Sequence, residues 1–382
     1  MPSTTSSTLA VVIAIAAVFG LSYSLSGPLI ALQLEARGAG PGMVGANAAM
    51  HALGVLLVAP VLPWLSARGG RQRLVLGALA ATAAIFVLFA ALMHGALWTW
   101  FVLRLGLGIA AEMIFVLTES WASELSPSHA RGRVMATYTA VLSIGFAAGP
   151  ALLSFLEATP GRAFIAGAAS AVLAAALLMG ATRAGANARD HSPPRSLPHY
   201  MRLSPLAMGT TVLNAAVETA GLSFLALYAT RLGWSKVDGT RLLSAMMIGA
   251  IVLQLPIGWL ADRLDRRRLI VGLSLAASAG AFAWPVLLRT PPLAFALVFV
   301  WGGVFVGIYT CMLAEIGERY SDTTLIGIYG AMGLFWGVGA LLGPLAVGLL
   351  SRSWQHGLPM FCAIACLVFA IAIGARRTTP PG

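Results

Sequence analysis

Charged residues are scarce in this chain. They make up 10% of its 382 residues, against about a quarter in ordinary soluble domains. Too few remain to cover a folded chain with water-compatible surface, which excludes a soluble globular protein. Cysteine is scarcer still, with three in all. Cys311, Cys362 and Cys366 fall in apolar stretches, and Cys362-x3-Cys366 puts two thiols on one helix face without the further ligands a metal site needs. They read as small buried side chains, and neither metal nor cofactor is expected. Short alternating segments are also missing, which excludes a transmembrane β-barrel. No nucleophile elbow or phosphate-binding glycine loop appears. The G-x-G of RLGLGIA lies inside an apolar helix and not after a strand, so no enzyme is read here.

What is present is hydrocarbon: 59% of residues are hydrophobic and the mean hydropathy is +0.86. Apolar runs of about 20 residues, enough to cross a bilayer, recur from end to end. The spacing predicts twelve transmembrane helices, at 8–33, 41–65, 74–94, 97–121, 133–157, 162–182, 204–230, 239–261, 268–289, 293–317, 325–350 and 357–375. The first lacks the basic n-region of a signal peptide and runs too long for a cleaved h-region, so it counts as a helix.

A net charge of +11 would suit nucleic acid, but its placement follows the positive-inside rule. With the N-terminus inside, sixteen of the 24 basic residues fall in cytoplasmic segments and seven in outer loops, while Arg104 is inside a helix. Both termini are expected in the cytoplasm, and the basic excess reads as topology, not as a nucleic-acid surface.

The chain also repeats itself. PWLSARGGRQRLVLG at 63–77 and GWLADRLDRRRLIVG at 258–272 agree at seven of fifteen positions, 195 residues apart. They are Trp64/Trp259, Leu65/Leu260, Arg68/Arg263, Arg71/Arg266, Arg73/Arg268, Leu74/Leu269 and Gly77/Gly272. At the same offset Gly38 matches Gly233 and Gly54 matches Gly249; at 194, Gly108 matches Gly302, Glu124 matches Glu318, and Gly145, Gly149 and Pro150 match Gly339, Gly343 and Pro344. Two copies of a six-helix unit are implied, in the same orientation because six is even. They are residues 1–182 and 204–382, joined by a polar, proline-rich cytoplasmic linker at 183–203.

Two parallel six-helix halves, each with a G-x3-D-R-x-G-R-R-like loop after its second helix, resemble the major facilitator superfamily. Gly258-x3-Asp262-Arg263-x-Asp265-Arg266-Arg267 fits that loop, except that Asp265 replaces the second glycine. Gly145-x3-Gly149-Pro150 is similar to a fifth-helix motif of the superfamily's antiporters, and Arg104-x3-Gly108 to its fourth-helix arginine motif. Glu119-Ser120-Trp121 followed by Arg131-Gly132, with PLIALQLEARG, is similar to the bacterial YcaD-like branch. The resemblance implies a monomeric secondary active transporter of the bacterial inner membrane, working by alternating access. Proton-coupled antiport exporting a small organic molecule is the favoured expectation. Proton-coupled uptake of a nutrient is the alternative within the fold, and a receptor or sensor without turnover the alternative of another class.

Charges at membrane depth need a reason. The resemblance puts the first, fourth, seventh and tenth helices around a central cavity. Glu112 and Glu218 are then expected to face it, as proton-responsive groups or as acids hydrogen-bonded between helices. Asn214 lies one turn from Glu218 on the same face. Arg104 reads as a proton-path or substrate-anchoring residue, or as a side chain snorkelling to the outer headgroups. His51, with Asn47 one turn earlier, is a proton site or a polar interhelix contact. Tyr23, with Ser22 and Ser26 beside it, falls opposite Glu218 in the repeat; Tyr309 and Trp336 read as aromatic walls or packing.

Glu119, Glu124 and Glu318 are expected at the cytoplasmic gate, with Glu315 ambiguous. In the family pattern the loop acid engages the opposite half. That pairs Asp262 with Arg131 or Arg133; because Ala67 replaces the reciprocal acid, Asp322 is expected to meet Arg68 or Arg71, with Arg263 beside them. Gly145, Gly149, Gly339 and Gly343 allow close helix approach, and Pro150 and Pro344 remove a backbone hydrogen bond.

Overall fold

The computed structural model describes residues 2–126, 131–156, 159–181, 197–320 and 322–375. Among those residues the chain is helical, without strands. The first half contains α1 (Pro2–Ala36), α2 (Pro41–Val58), α3 (Leu62–Gly69), α4 (Arg71–Ala91), α5 (Leu97–Leu125), α6 (Arg131–Phe155) and α7 (Pro160–Ala181). The second contains α8 (Leu197–Leu203), α9 (Pro205–Arg231), α10 (Lys236–Val252), α11 (Gln254–Ala261), α12 (Arg266–Leu287), α13 (Pro291–Arg319), α14 (Asp322–Ser353) and α15 (Gly357–Ala375). Twelve membrane-length apolar spans result among the described residues.

Two expected helices are interrupted. The one read at 41–65 breaks at residues 59–61 into α2 and α3, where Pro60 offers no backbone donor. The one read at 239–261 breaks at Leu253 into α10 and α11, with Pro256 in the first turn of α11, where its missing N–H costs little. Residues 197–203, read as linker, form the short α8, held where the Tyr320 hydroxyl donates to the Leu203 carbonyl at 2.7 Å. The rest of that linker up to residue 196 lies outside the described residues.

The chain divides into two compact units, residues 1–39 with 46–192, and 40–45 with 193–382. In the first, α1 runs along α6 and touches α5 and α7, while α4 packs on α5 and α7. In the second, α9 runs along α14, α10 along α13, and α12 against α13 and α15. The outer faces carry apolar side chains such as Val172, Leu173, Phe282, Val286, Val368 and Ile371, all exposed. In water such a surface would aggregate; in a bilayer it is the solvated face, and helices satisfy their backbone internally as lipid demands.

The repeat is visible in turn chemistry. Helices α1 and α9 both end on a glycine in the left-handed region, Gly38 at φ 82° and Gly233 at φ 96°. Behind each, the next residue donates back five positions, Ala39 to Leu34 at 2.9 Å and Trp234 to Ala229 at 3.1 Å. This is the Schellman arrangement, which needs a residue without Cβ strain at that place. Helix starts differ: Gly70 precedes α4 at φ 75°, whereas its counterpart Asp265 precedes α12 and accepts the Arg268 N–H at 2.8 Å. The acid that departs from the family loop is thus an N-cap.

Candidate functional site

The repeated loop builds the same bracket in each unit. Arg68 lies over the Trp64 ring at 4.2 Å, and Arg263 over Trp259 at 3.7 Å. Arg71 grips Glu124 through two 2.6 Å hydrogen bonds. Its counterpart Arg266 donates to Glu318 at 2.6 Å and to the Ala314 carbonyl at 3.0 Å. Three of the seven identities, Trp64/Trp259, Arg68/Arg263 and Arg71/Arg266, are therefore cation–π or ion-pair partners, and the last of them ties each loop to the end of its own α5 or α13. Asp262 is the C-cap residue of α11 and Glu119 is exposed on α5. The side chains of Arg131, Arg133, Asp322 and Ala67 lie outside the described residues. Glu315 on α13 has a buried Oε2 without a hydrogen-bond partner.

Four close helix crossings depend on glycine. A Cβ on Gly108 would stand 2.8 Å from the carbonyl carbon of His51, and one on Gly302 would stand 3.0 Å from that of Met246. Gly54 presses on the backbone of α5 and Gly249 on that of α13. Gly145 and Gly149 face the backbone of α1, as Gly339 and Gly343 face α9. Pro150 and Pro344 lie inside the continuous helices α6 and α14.

The first of these crossings sets the position of a polar cluster. Arg104 is one turn before Gly108 on α5, and His51 one turn before Gly54 on α2. Arg104 is 5% exposed and donates to Ser26 Oγ on α1 at 2.8 Å, so it does not snorkel to the headgroups. It also stands within electrostatic reach of His51 and Tyr23. The Tyr23 ring meets the His51 ring edge-on at 5.1 Å. Both nitrogens of His51, Nδ2 of Asn47, Nε of Arg104 and Oγ of Ser22 are buried without a hydrogen-bond partner. His51 therefore makes no polar interhelix hydrogen bond among the described residues.

In the second unit, Asn214 donates to Glu218 Oε2 at 3.1 Å along α9, while its own Oδ1 is buried without a partner. Among the described residues no basic side chain pairs with Glu218. Glu112 accepts no hydrogen bond there either, and stands within electrostatic reach of Glu119, seven residues on along the same face of α5. The sequence reading missed polar contacts between helices, among them the Thr310 hydroxyl on α13, which donates to Gln254 Oε1 on α11. A glutamine inside LQLPIGWL was the available signal.

The family model described as Major Facilitator Superfamily matches residues 12–322 and 207–382. The uncharacterised MFS-type transporter YfkF of Bacillus subtilis is 25% identical over 97% of this chain and 96% of its own length. The uncharacterised MFS-type transporter YcaD of Escherichia fergusonii is 25% identical over 74% of each chain. Two solved structures share the fold: the nucleoside transporter NupG (TM-score 0.79, 13% identity, 96% of this chain and 99% of that one) and a D-xylose-proton symporter (TM-score 0.78, 14% identity, 97% of each). The chain belongs to the Major Facilitator Superfamily and is a multi-pass secondary transporter.

Proposed function

We propose that the protein is a proton-coupled antiporter of the bacterial inner membrane that exports a small organic molecule, with both termini in the cytoplasm. The carrying observation is Glu218, an acid midway along the membrane-spanning α9 whose one hydrogen bond among the described residues comes from the neutral Asn214. A carboxyl group so placed is uncharged when protonated and must find water or a cation when it is not. Its protonation state is therefore free to alternate with substrate occupancy, the linkage that coupling requires. Glu112, likewise without a cationic partner among the described residues, is the second proton-responsive group. Export rests on the likeness of Gly145-x3-Gly149-Pro150 to the antiporter motif, which the structure presents as a surface pressed on α1. The cross-half contacts of Asp262 with Arg131 or Arg133, and of Asp322 with Arg68 or Arg71, belong to the same proposal as the cytoplasmic gate. In that scheme Glu124 and Glu318 hold the loop arginines in place.

The experiment is flux in proteoliposomes with a pH dye. Substrate added outside should drive proton movement out of the vesicle lumen for antiport; movement in the opposite sense means uptake by symport. Glu218→Gln should abolish that proton movement in a folded, inserted protein, and unchanged coupling would refute the role of Glu218. A folded wild type that moves none of a broad metabolite and drug library would favour a receptor.

A further inference from the structure

We propose that the cluster between α1, α2 and α5 binds a carboxylate, held by Arg104 with His51 and Asn47 as flanking donors. Buried guanidinium groups are costly unless an anion meets them. Among the described residues Arg104 has no carboxylate partner. Its hydrogen bond goes to Ser26, whose own hydroxyl proton is given to the Tyr23 carbonyl at 2.9 Å. Among the described residues its hydrogen-bond acceptor is thus a neutral oxygen, and no anion offsets the charge of the guanidinium. Arginine does not escape by losing its proton. Nε of Arg104, Nδ2 of Asn47 and the ring nitrogens of His51 remain without partners although their residues are 5%, 1% and 4% exposed.

The second unit supplies an internal control. Its α10–α13 crossing reproduces the α2–α5 crossing backbone for backbone: Met246 meets Gly302 as His51 meets Gly108, and Phe299 meets Gly249 as Leu105 meets Gly54. At that matched place the side chains are apolar. Leu242 stands for Asn47, Met246 for His51 and Val298 for Arg104, at 0%, 4% and 0% exposure. The crossing therefore packs well without any polar group, and replacing buried charge by apolar side chains is often stabilising. Folding does not account for the polar set in the first unit. A ligand does. One cation flanked by neutral donors matches a monoanion better than a phosphate dianion, and the planar guanidinium fork matches a carboxylate. Carried on the exported molecule, that carboxylate makes the substrate class an organic acid; free in solution, it makes the site one for a small anion.

This inference rests on the transporter reading for its consequence but not for its test. The full-length protein in nanodiscs is heated in the presence of acetate, hexanoate and benzoate, each against its amide, and of chloride. The carboxylates should raise Tm and the amides should not. Arg104→Gln should weaken the apparent affinity about ten- to a hundredfold, the range for losing a charged hydrogen-bonded partner. Should that variant not fold, Asn47→Leu with His51→Met and Arg104→Val installs the second unit's side chains; it should fold and ignore carboxylates. Glu218→Gln should keep the carboxylate response even where proton coupling is lost, which separates failure of this site from failure of the coupling assignment. A response to acetate alone assigns a free anion, whereas a response to the larger acids with matching flux assigns the transported solute. No response in folded wild type, an equal response to amides or chloride, or a response surviving in the triple variant overturns the proposal.

Discussion

Arg71 closes both arms of its guanidinium on Glu124, 2.6 Å each, and 195 residues later Arg266 repeats the grip on Glu318. Both pairs staple the loop after a broken helix to the C-terminal end of a long one. The pairs are partly exposed, with Arg71 at 19% and Glu124 at 30%, so solvent screens them. A double-mutant cycle of Arg71→Ala and Glu124→Ala should give a coupling of about 1 kcal/mol in thermal unfolding. The Arg266 and Glu318 cycle should match it within experimental scatter. A coupling near zero in both would mean that the brackets do not hold the loops.

Glycine at the crossings is testable by adding one carbon. Gly108→Ala drives a methyl group onto the His51 carbonyl and Gly302→Ala onto that of Met246. Backbone carbonyls cannot swing aside as a flexible side chain would, so each should cost about 1–3 kcal/mol as overpacking, read as a fall in Tm of the detergent-solubilised protein. Gly77 and Gly272, identical in the repeat, have nothing within 4 Å of a new Cβ. Alanine there should be neutral or raise stability by up to about 1 kcal/mol through helix propensity. If all four variants behave alike, repeat identity and not close packing governs those glycines.

The two helix starts predict an asymmetry. Asp265→Ala removes the side chain that accepts the Arg268 N–H and should cost about 1 kcal/mol. Asp265→Gly should cost only a few tenths, because glycine serves as an N-cap and stands at the equivalent position, Gly70. Thermal unfolding of the two variants side by side checks this. Equal losses would show that the capping bond contributes nothing.

Twelve spans and the two-fold repeat were legible because length, apolarity and a constant offset are one-dimensional properties. The interruptions at 59–61 and Leu253 were less so, since Pro60 and Pro256 break helices only where packing allows the turn. Arg71 and Glu124 were both singled out, but their pairing spans 53 residues, a separation that helical periodicity does not constrain. The polar cluster was half-legible: Tyr23, His51 and Arg104 stood out as polar groups in apolar runs. What brought them together was the Gly54–Gly108 crossing, visible in the sequence only as two more matches in a repeat.

Asn214 is a separate lever on the coupling acid. It gives Glu218 its one hydrogen bond among the described residues, an interaction within about a single helix turn. Asn214→Ala removes that donor and leaves the acid itself in place. Proton-driven flux should then persist while its pH profile moves, because the charged and neutral forms of a carboxyl group accept that hydrogen bond unequally. Asn214→Ser, which keeps a shorter donor, should fall between alanine and wild type. Flux measured across pH in proteoliposomes decides: a profile identical to wild type in Asn214→Ala would detach Asn214 from coupling, and complete loss of flux in a folded protein would make it a substrate contact instead.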